Sequence, residues 1–442
     1  MTKKRYVQVG IGSRSRMFTR AITETYADRA ELVGLCDVNV GRVELRRSDL
    51  LDAGYGDVPG YHADEFDRMI AEQKPDCVVV TTRDCDHDTY ICRAMELGCD
   101  AITEKPMTTD EAKCQRILDT AERTGRDLRV TFNYRYSPTR TQVKELLMSG
   151  TIGKVLSVDF TWNLDTRHGA DYYRRWHRNK ANSGGLMVHK ATHHFDLVNW
   201  WICSTPDTVT ALGRLAFYTP DTADKLGFDR RTDRCHTCPH LADESCPFAL
   251  DLSAKDFFRR CYLEQEQHDG YFRDRCVFGE DIDIEDSMNL AVRYRNGVHM
   301  SYCLNSFLPW EGYRIAFNGD RGRLEVQSIE TVYISGDDSV PGETVEEKSY
   351  VRVFPHLADP YEVPLATAKG GHGGGDQRLL EDIFQPDPEG DRFRRAAGLA
   401  DGAWSILTGV AANRSMAADG QAVRVNDLVS GLPEPVHTHR TD

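Results

Sequence analysis

The first forty residues constrain this chain more than any other stretch. Residues Tyr6 to Val9 read as a strand that runs into Gly10-Ile11-Gly12-Ser13-Arg14-Ser15, and a helical stretch follows. The pattern is G-x-G-x-x-S, a dinucleotide fingerprint with serine in the third glycine position. Gly10 makes the tight turn, and Gly12 lets the backbone approach a pyrophosphate at the helix N-terminus. Ser15 is small enough for helix and strand to pack closely, and Ser13 and Arg14 lie in the same loop. The next strand, Glu31 to Cys36, ends at Asp37, 22 residues past Ser15. An acid there accepts hydrogen bonds from a ribose 2′-hydroxyl and repels a 2′-phosphate, which favours NAD over NADP. Strand, glycine loop, helix and spaced acid agree, so a βαβ unit built round a nucleotide opens the chain.

Strands and helices keep alternating. Asp76 to Thr81 is a continuous apolar run, as expected of a buried parallel strand. His87 to Leu97 reads as helix, and Asp100 to Thr103 as a strand running into Glu104-Lys105-Pro106. A helix over Thr108 to Thr124 and a strand over Asp127 to Phe132 complete a doubly wound parallel sheet over residues 1–132. Lys105 falls just past the carboxyl end of a strand, where ligands bind in such folds. Glu104 is expected to hold its ammonium, and Thr81 and His87 join the candidate cofactor contacts.

A second stretch, Gly184 to Trp201, reads as one helix behind two glycines. His189, His193, Asp196 and Trp200 fall at i, i+4, i+7 and i+11 and share one face. Ala191, Phe195, Val198 and Ile202 share the opposite face. The second stripe is expected against a core and the first toward a cleft. Two imidazoles and a carboxylate can move protons near neutral pH. His-x3-His is also a ligand spacing for a divalent metal.

Taken in order, GIGSRS, Asp37, Glu104-Lys105-Pro106 and GG…His193…Asp196 resemble the Gfo/Idh/MocA family of NAD(P)-dependent sugar and polyol oxidoreductases, over most of the chain. The resemblance implies an α/β protein: an N-terminal Rossmann domain, then a C-terminal α+β domain with a large open, mostly antiparallel sheet over 133–370. It implies that Lys105 and His193 lie at the nicotinamide and the reacting carbinol, with Asp196 or His189 orienting His193. The family's D-x-G-x-H-x-x-D segment has its first aspartate on His189 and its glycine on Ala191, two departures. Asn133-Tyr134-Arg135-Tyr136 resembles the family's passage into the second domain. A free sheet face implies a homodimer or homotetramer, and residues 371–430 are expected to pack back on the interdomain region. The implied activity is hydride transfer between a carbohydrate carbinol and NAD. Two alternatives stand beside it: a glycosidase that keeps its NAD and works by transient oxidation and elimination, and a nucleotide sensor.

The remaining features are local. Arg167 to Arg178 is a basic, aromatic-rich island in which His168, Arg175 and Trp176 could meet a sugar face or an anion. Tyr134, Arg135, His194 and His372 complete the candidate substrate contacts. Asn296-Gly297 marks a hairpin between Asp286–Arg295 and Val298–Ser306, and Asn318 to Asp320 a second turn. An insertion near 219–283 carries Cys235-x2-Cys238-x7-Cys246, with His236, His240 and Cys261 nearby, which predicts a structural zinc or an iron–sulfur cluster. Asp376 reads as an N-cap after a glycine run, Phe393 to Ala418 as helix, and 431–442 as a disordered tail. A net charge of −14 argues against nucleic acid and anionic membranes as partners. The N-terminus meets its first strand without an apolar signal core, and 13 dispersed cysteines read as reduced thiols, so a cytoplasmic protein is expected.

Overall fold

The computed structural model describes residues 2–331 and 342–436. Six strands form the first sheet: β1 (Lys4–Val9), β2 (Ala30–Asp37), β3 (Gly60–His62), β4 (Cys77–Val80), β5 (Asp100–Thr103) and β6 (Leu128–Val130). Their order is β3-β2-β1-β4-β5-β6, and every pairing is parallel. The winding reverses between β1 and β4, which opens a crevice at the carboxyl ends of the strands. All four residues of β4 are buried, as its unbroken apolar run requires.

The second sheet has nine strands: β7 (Val155–Asp165), β8 (Pro206–Arg214), β9 (Ser287–Tyr294), β10 (His299–Leu308), β11 (Glu311–Gly319), β12 (Gly322–Glu330), β13 (Tyr350–Pro355), β14 (Tyr361–Val363) and β15 (Val423–Arg424). Their order is β14-β13-β12-β11-β7-β10-β9-β8-β15, antiparallel except for β7 with β10. Both expected turns close hairpins, and Gly297 takes the positive φ (+88°) that the first one needs. Along β9, Met288, Leu290, Val292 and Tyr294 point inward, while Asn289, Ala291 and Arg293 are exposed.

The helix expected from Gly184 is two helices, Gly185–His189 and Thr192–Ile202. The amides of Lys190 and Ala191 both donate to the Leu186 carbonyl (3.1 and 2.8 Å). One carbonyl serving two amides breaks the helix between His189 and His193, although both rings line one cavity. Every residue of Thr192–Ile202 is buried, so that helix has no solvent-facing side. It lies against the helix Leu399–Ala417, which also packs on β6 and β8 and so spans both domains. Residues 393–398, expected to belong to that helix, precede it as irregular chain. Of the segment expected to be a disordered tail, the chain to Val436 is described: the Trp404 indole donates to the Pro433 carbonyl (2.9 Å), and Arg295 pairs with Glu434. Residues 437–442 lie outside the described residues. Among the described residues no helix is long and apolar enough to cross a membrane.

Candidate active site

A cavity of about 760 Å³ lies between the carboxyl ends of the parallel strands and the second domain. Its nucleotide end is built on backbone. Gly10 has φ +86°, and a Cβ there would sit 2.5 Å from the Thr81 carbonyl carbon, so only glycine fits. The Thr81 hydroxyl donates to the Gly10 carbonyl (2.6 Å) and fixes that approach. The Ser15 hydroxyl donates to the Gly12 carbonyl (2.6 Å). Ser15 is buried behind the loop and shapes it rather than lining the cavity. Asp37 accepts from the Asn39 amide (2.8 Å) and from the Ile11 amide, and it lines the cavity. Burial raises its pKa, against the Ile11 amide and Arg42. The His87 ring lies between the Pro106 and Thr82 carbonyls (2.8 and 3.3 Å) and braces the turn that carries Lys105.

The same cavity brings Lys105, His189, Lys190 and His193 together. Burial lowers the Lys105 pKa to about 8; Asp84 and Glu104 oppose the shift, and Lys190 and Arg14 add to it. The Lys105 ammonium donates to the His189 carbonyl (3.4 Å). Glu104, expected to hold that ammonium, instead accepts from Arg14 Nε (2.6 Å). His193 stacks on Tyr134, with centroids 4.0 Å apart and planes 10° from parallel. Burial, then Lys105 and Lys190, hold its pKa well below the usual range, so the ring is neutral. Its Nδ1 is buried with no hydrogen-bond partner. His189 Nδ1 lies 2.5 Å from Asp84 Oδ2, and the His177 ring is 4.2 Å from the His189 ring.

Two domain families match this chain. The oxidoreductase family's NAD-binding Rossmann fold covers residues 4–132, and the oxidoreductase family's C-terminal alpha/beta domain covers residues 144–425. The chain belongs to the Gfo/Idh/MocA family. YteT of Bacillus subtilis (strain 168), a protein named as an oxidoreductase, is 36% identical over 420 residues, 94% of this chain and 96% of YteT. An inositol 2-dehydrogenase/D-chiro-inositol 3-dehydrogenase of Lactiplantibacillus plantarum is 26% identical over 197 residues, 44% of this chain and 51% of that protein. Among solved structures, the WlbA dehydrogenase of Bordetella pertussis in complex with NADH and UDP-GlcNAcA shares the fold, with a TM-score of 0.63 and 18% identity over 96% of this chain and 98% of that one.

Within this Gfo/Idh/MocA site, several expected residues stand elsewhere. Asp196 does not reach His193. It accepts two hydrogen bonds from Arg135 (2.8 and 2.6 Å), which also pairs with Asp401 (2.7 Å), and neither Asp196 nor Arg135 lines the cavity. His193 and Asp196 lie in one unbroken helix, Thr192–Ile202, and the Asp196 carboxylate is taken up by Arg135. His194 also faces inward, with Nδ1 2.6 Å from the Tyr302 hydroxyl and its ring stacked 4.0 Å from Trp162. Tyr134, His168, Arg175, Trp176 and His372 do line the cavity. His168 pairs with Glu311 (2.9 Å) and Tyr172 (3.0 Å), and Arg175 with Asp171 (3.2 Å). Asp376 is not the N-cap, a place taken by Gly374; its carboxylate receives Asn133 (2.6 Å), His372 (2.9 Å) and Arg14 (3.2 Å).

Asp84, Lys190, His177 and Tyr172 line the same cavity, and the sequence reading missed them. Asp84 had a signal, since it follows β4 at the carboxyl end of the sheet. Tyr172 and His177 lie inside the island from Arg167 to Arg178, and Lys190 follows His189, but spacing alone does not show which of these side chains face the cavity. Cys235, Cys238 and Cys246 line a separate cavity of about 30 Å³ with His240 and Cys276, walled by Phe228, Phe248 and Phe278; Cys261 is outside it. Among the described residues no group of three or more His, Cys, Asp or Glu is placed to hold a metal ion. The expected zinc or iron–sulfur centre, and a metal at His189 and His193, are therefore without support. Burial pushes the Cys235 thiol up to about 11, as for a packed apolar thiol.

Proposed function

We propose that this oxidoreductase is NAD-dependent and moves a hydride between nicotinamide and a carbinol of a carbohydrate: a sugar, a polyol or a glycoside. The observation that carries this is Lys105, poised near pH 8 beside the neutral, stacked His193, in one cavity with the glycine loop. The cradle fits a dinucleotide, because Gly10 has no room for a side chain and Asp37 stands at the end of β2. When bound, NAD supplies the hydride acceptor. In the oxidation direction the carbinol C–H leaves as hydride, and the hydroxyl proton goes to Lys105 Nζ or to His193. Tyr134 fixes the imidazole plane, and the Lys190 charge keeps the Lys105 amine easy to deprotonate. A base poised near the working pH contributes about 10²–10⁴-fold.

A second reading, the NAD-retaining glycosidase, is favoured by the further titratable groups in the same cavity. His189 with Asp84, and His177 with Tyr172, could serve the proton transfers of an elimination. We read the exposed side of the nine-stranded sheet as the contact between two or four copies, and the 13 cysteines as thiols of a reducing cytoplasm. The test is a panel of sugars, polyols and glycosides incubated with NAD, following NADH and released aglycone together. NADH that grows with product supports the dehydrogenase, and a transient that vanishes as aglycone appears supports the glycosidase. Bound NAD with no NADH from any of them would contradict both and favour a sensor.

A further inference from the structure

The insertion does not stay with the second domain. Its stretch from Asp256 to Tyr271 crosses onto the nucleotide-binding domain and walls the cavity with Tyr262, His268, Asp269 and Tyr271. The Tyr262 hydroxyl accepts from the Ser13 amide in the glycine loop (3.0 Å). Asn39, two residues past Asp37, donates to the Gln265 carbonyl (2.9 Å). A Cβ on Gly41 would overlap the Gln265 and His268 side chains, so the two surfaces are in full contact.

Arg42 is the cation at this end. It lines the cavity one helical turn past Asn39, and Asp37 acts on it electrostatically. Alone, such a guanidinium beside the ribose site would receive a 2′-phosphate through charge-assisted hydrogen bonds. It is not alone. Arg42 Nη1 pairs with Asp269 (2.8 Å), both side chains are about nine-tenths buried, and Nε donates to the Cys261 carbonyl (3.1 Å). Nη2 has no hydrogen-bond partner. Arg83, a second arginine on the cavity wall, is held by Asp86 (2.8 Å).

We propose that Asp269, supplied by the insertion, is a second determinant of dinucleotide choice: it neutralises and holds Arg42, so that two carboxylates, Asp37 and Asp269, meet the ribose end. Asp269 acts through Arg42 and is a positioning residue. The inference rests on the dinucleotide reading of the cavity but not on any sugar. The experiment is equilibrium binding of NAD and NADP to purified, cofactor-stripped protein by calorimetry, with no substrate present. Asp269→Asn keeps the size and a hydrogen bond while freeing the Arg42 charge. NADP should gain at least tenfold relative to NAD, and the gain should shrink as salt is raised. In Asp269→Asn, Arg42→Gln the gain should vanish, which a merely structural role for Asp269 would not produce. An unmoved NAD/NADP ratio in Asp269→Asn overturns the inference, as does a gain that survives loss of Arg42. If the unsubstituted chain binds neither dinucleotide, the reading it rests on falls and this inference falls with it.

Discussion

Replacing Lys190 with Met should move the ascending, acid-side limb of the pH–rate profile for oxidation upward by roughly one pH unit. The Lys190 ammonium is buried, donates to the Tyr134 hydroxyl (3.1 Å) and lies 5.0 Å from the centroid of the Trp162 ring. Methionine keeps its length and removes its charge. Burial is the first cause of the Lys105 pKa of about 8, and the Lys190 charge adds to it. Two unit charges on the order of 10 Å apart, in an effective dielectric of about 20, repel by about 1.7 kcal/mol, or roughly one unit. The amine must be neutral to take the hydroxyl proton, so oxidation speeds up as pH rises through the pKa and levels off above it. At pH 7 about one-tenth of the native enzyme has the free amine, and about one-hundredth of the variant would. The assay is single-turnover NADH formation at saturating sugar from pH 6 to pH 10. Reduction of the ketone needs the ammonium and should fall through the same pKa. A limb that stays put, or moves to lower pH, would refute the electrostatic role of Lys190.

Three further outcomes follow from packing and charge. Gly10→Ala should abolish the thermal shift caused by NAD, because its Cβ collides with the Thr81 backbone at a positive φ; an unchanged shift would remove Gly10 from the cradle. Arg135→Met leaves Asp196 buried without its partner and should cost about 3–5 kcal/mol in denaturant unfolding, with NAD affinity retained in the folded fraction. Burial alone would raise the Asp376 pKa, but Arg14 and His372 outweigh it and hold the carboxyl far below its usual range. A depressed carboxylate stabilises above its unfolded pKa of about 4 and loses that as pH falls toward the folded value. Asp376→Asn should therefore flatten the acid limb of stability between roughly pH 4 and pH 2.

The nucleotide domain was legible because its signals are local. A glycine loop between strand and helix, and an acid at the next strand end, dictate backbone geometry within forty residues. Lys105 was legible for the same reason, since it ends a strand at the open edge of the sheet. The hairpin at Asn296-Gly297 carried its own turn chemistry. The stretch from Gly184 to Trp201 reads as one helix, whereas the shared Leu186 carbonyl breaks it, and spacing does not show that a buried arginine claims its acid. Asp196 serves Arg135, 61 residues away, rather than His193. Asp84, despite its place after β4, and Lys190 and Asp269 were missed for a different reason. Each matters through a partner far along the chain: His189, 105 residues away, for Asp84, and Arg42 for Asp269. The strands β3, β14 and β15, of two or three residues, were too short to show alternation, whereas β13 alternates at Val351-Arg352-Val353 and was passed over.

The central claim is that Lys105 and His193 act as one unit on a single hydroxyl beside bound NAD. It is tested most directly by a double-mutant cycle on single-turnover NADH formation with Lys105→Ala, His193→Ala and the pair, with NAD affinity measured alongside. Each single change should slow the step by about 10²–10⁴-fold with NAD affinity nearly unchanged. The double variant should be no slower than about the worse single, because parts of one relay fail together. Losses that multiply in the double variant, or full activity in both singles, would contradict the account.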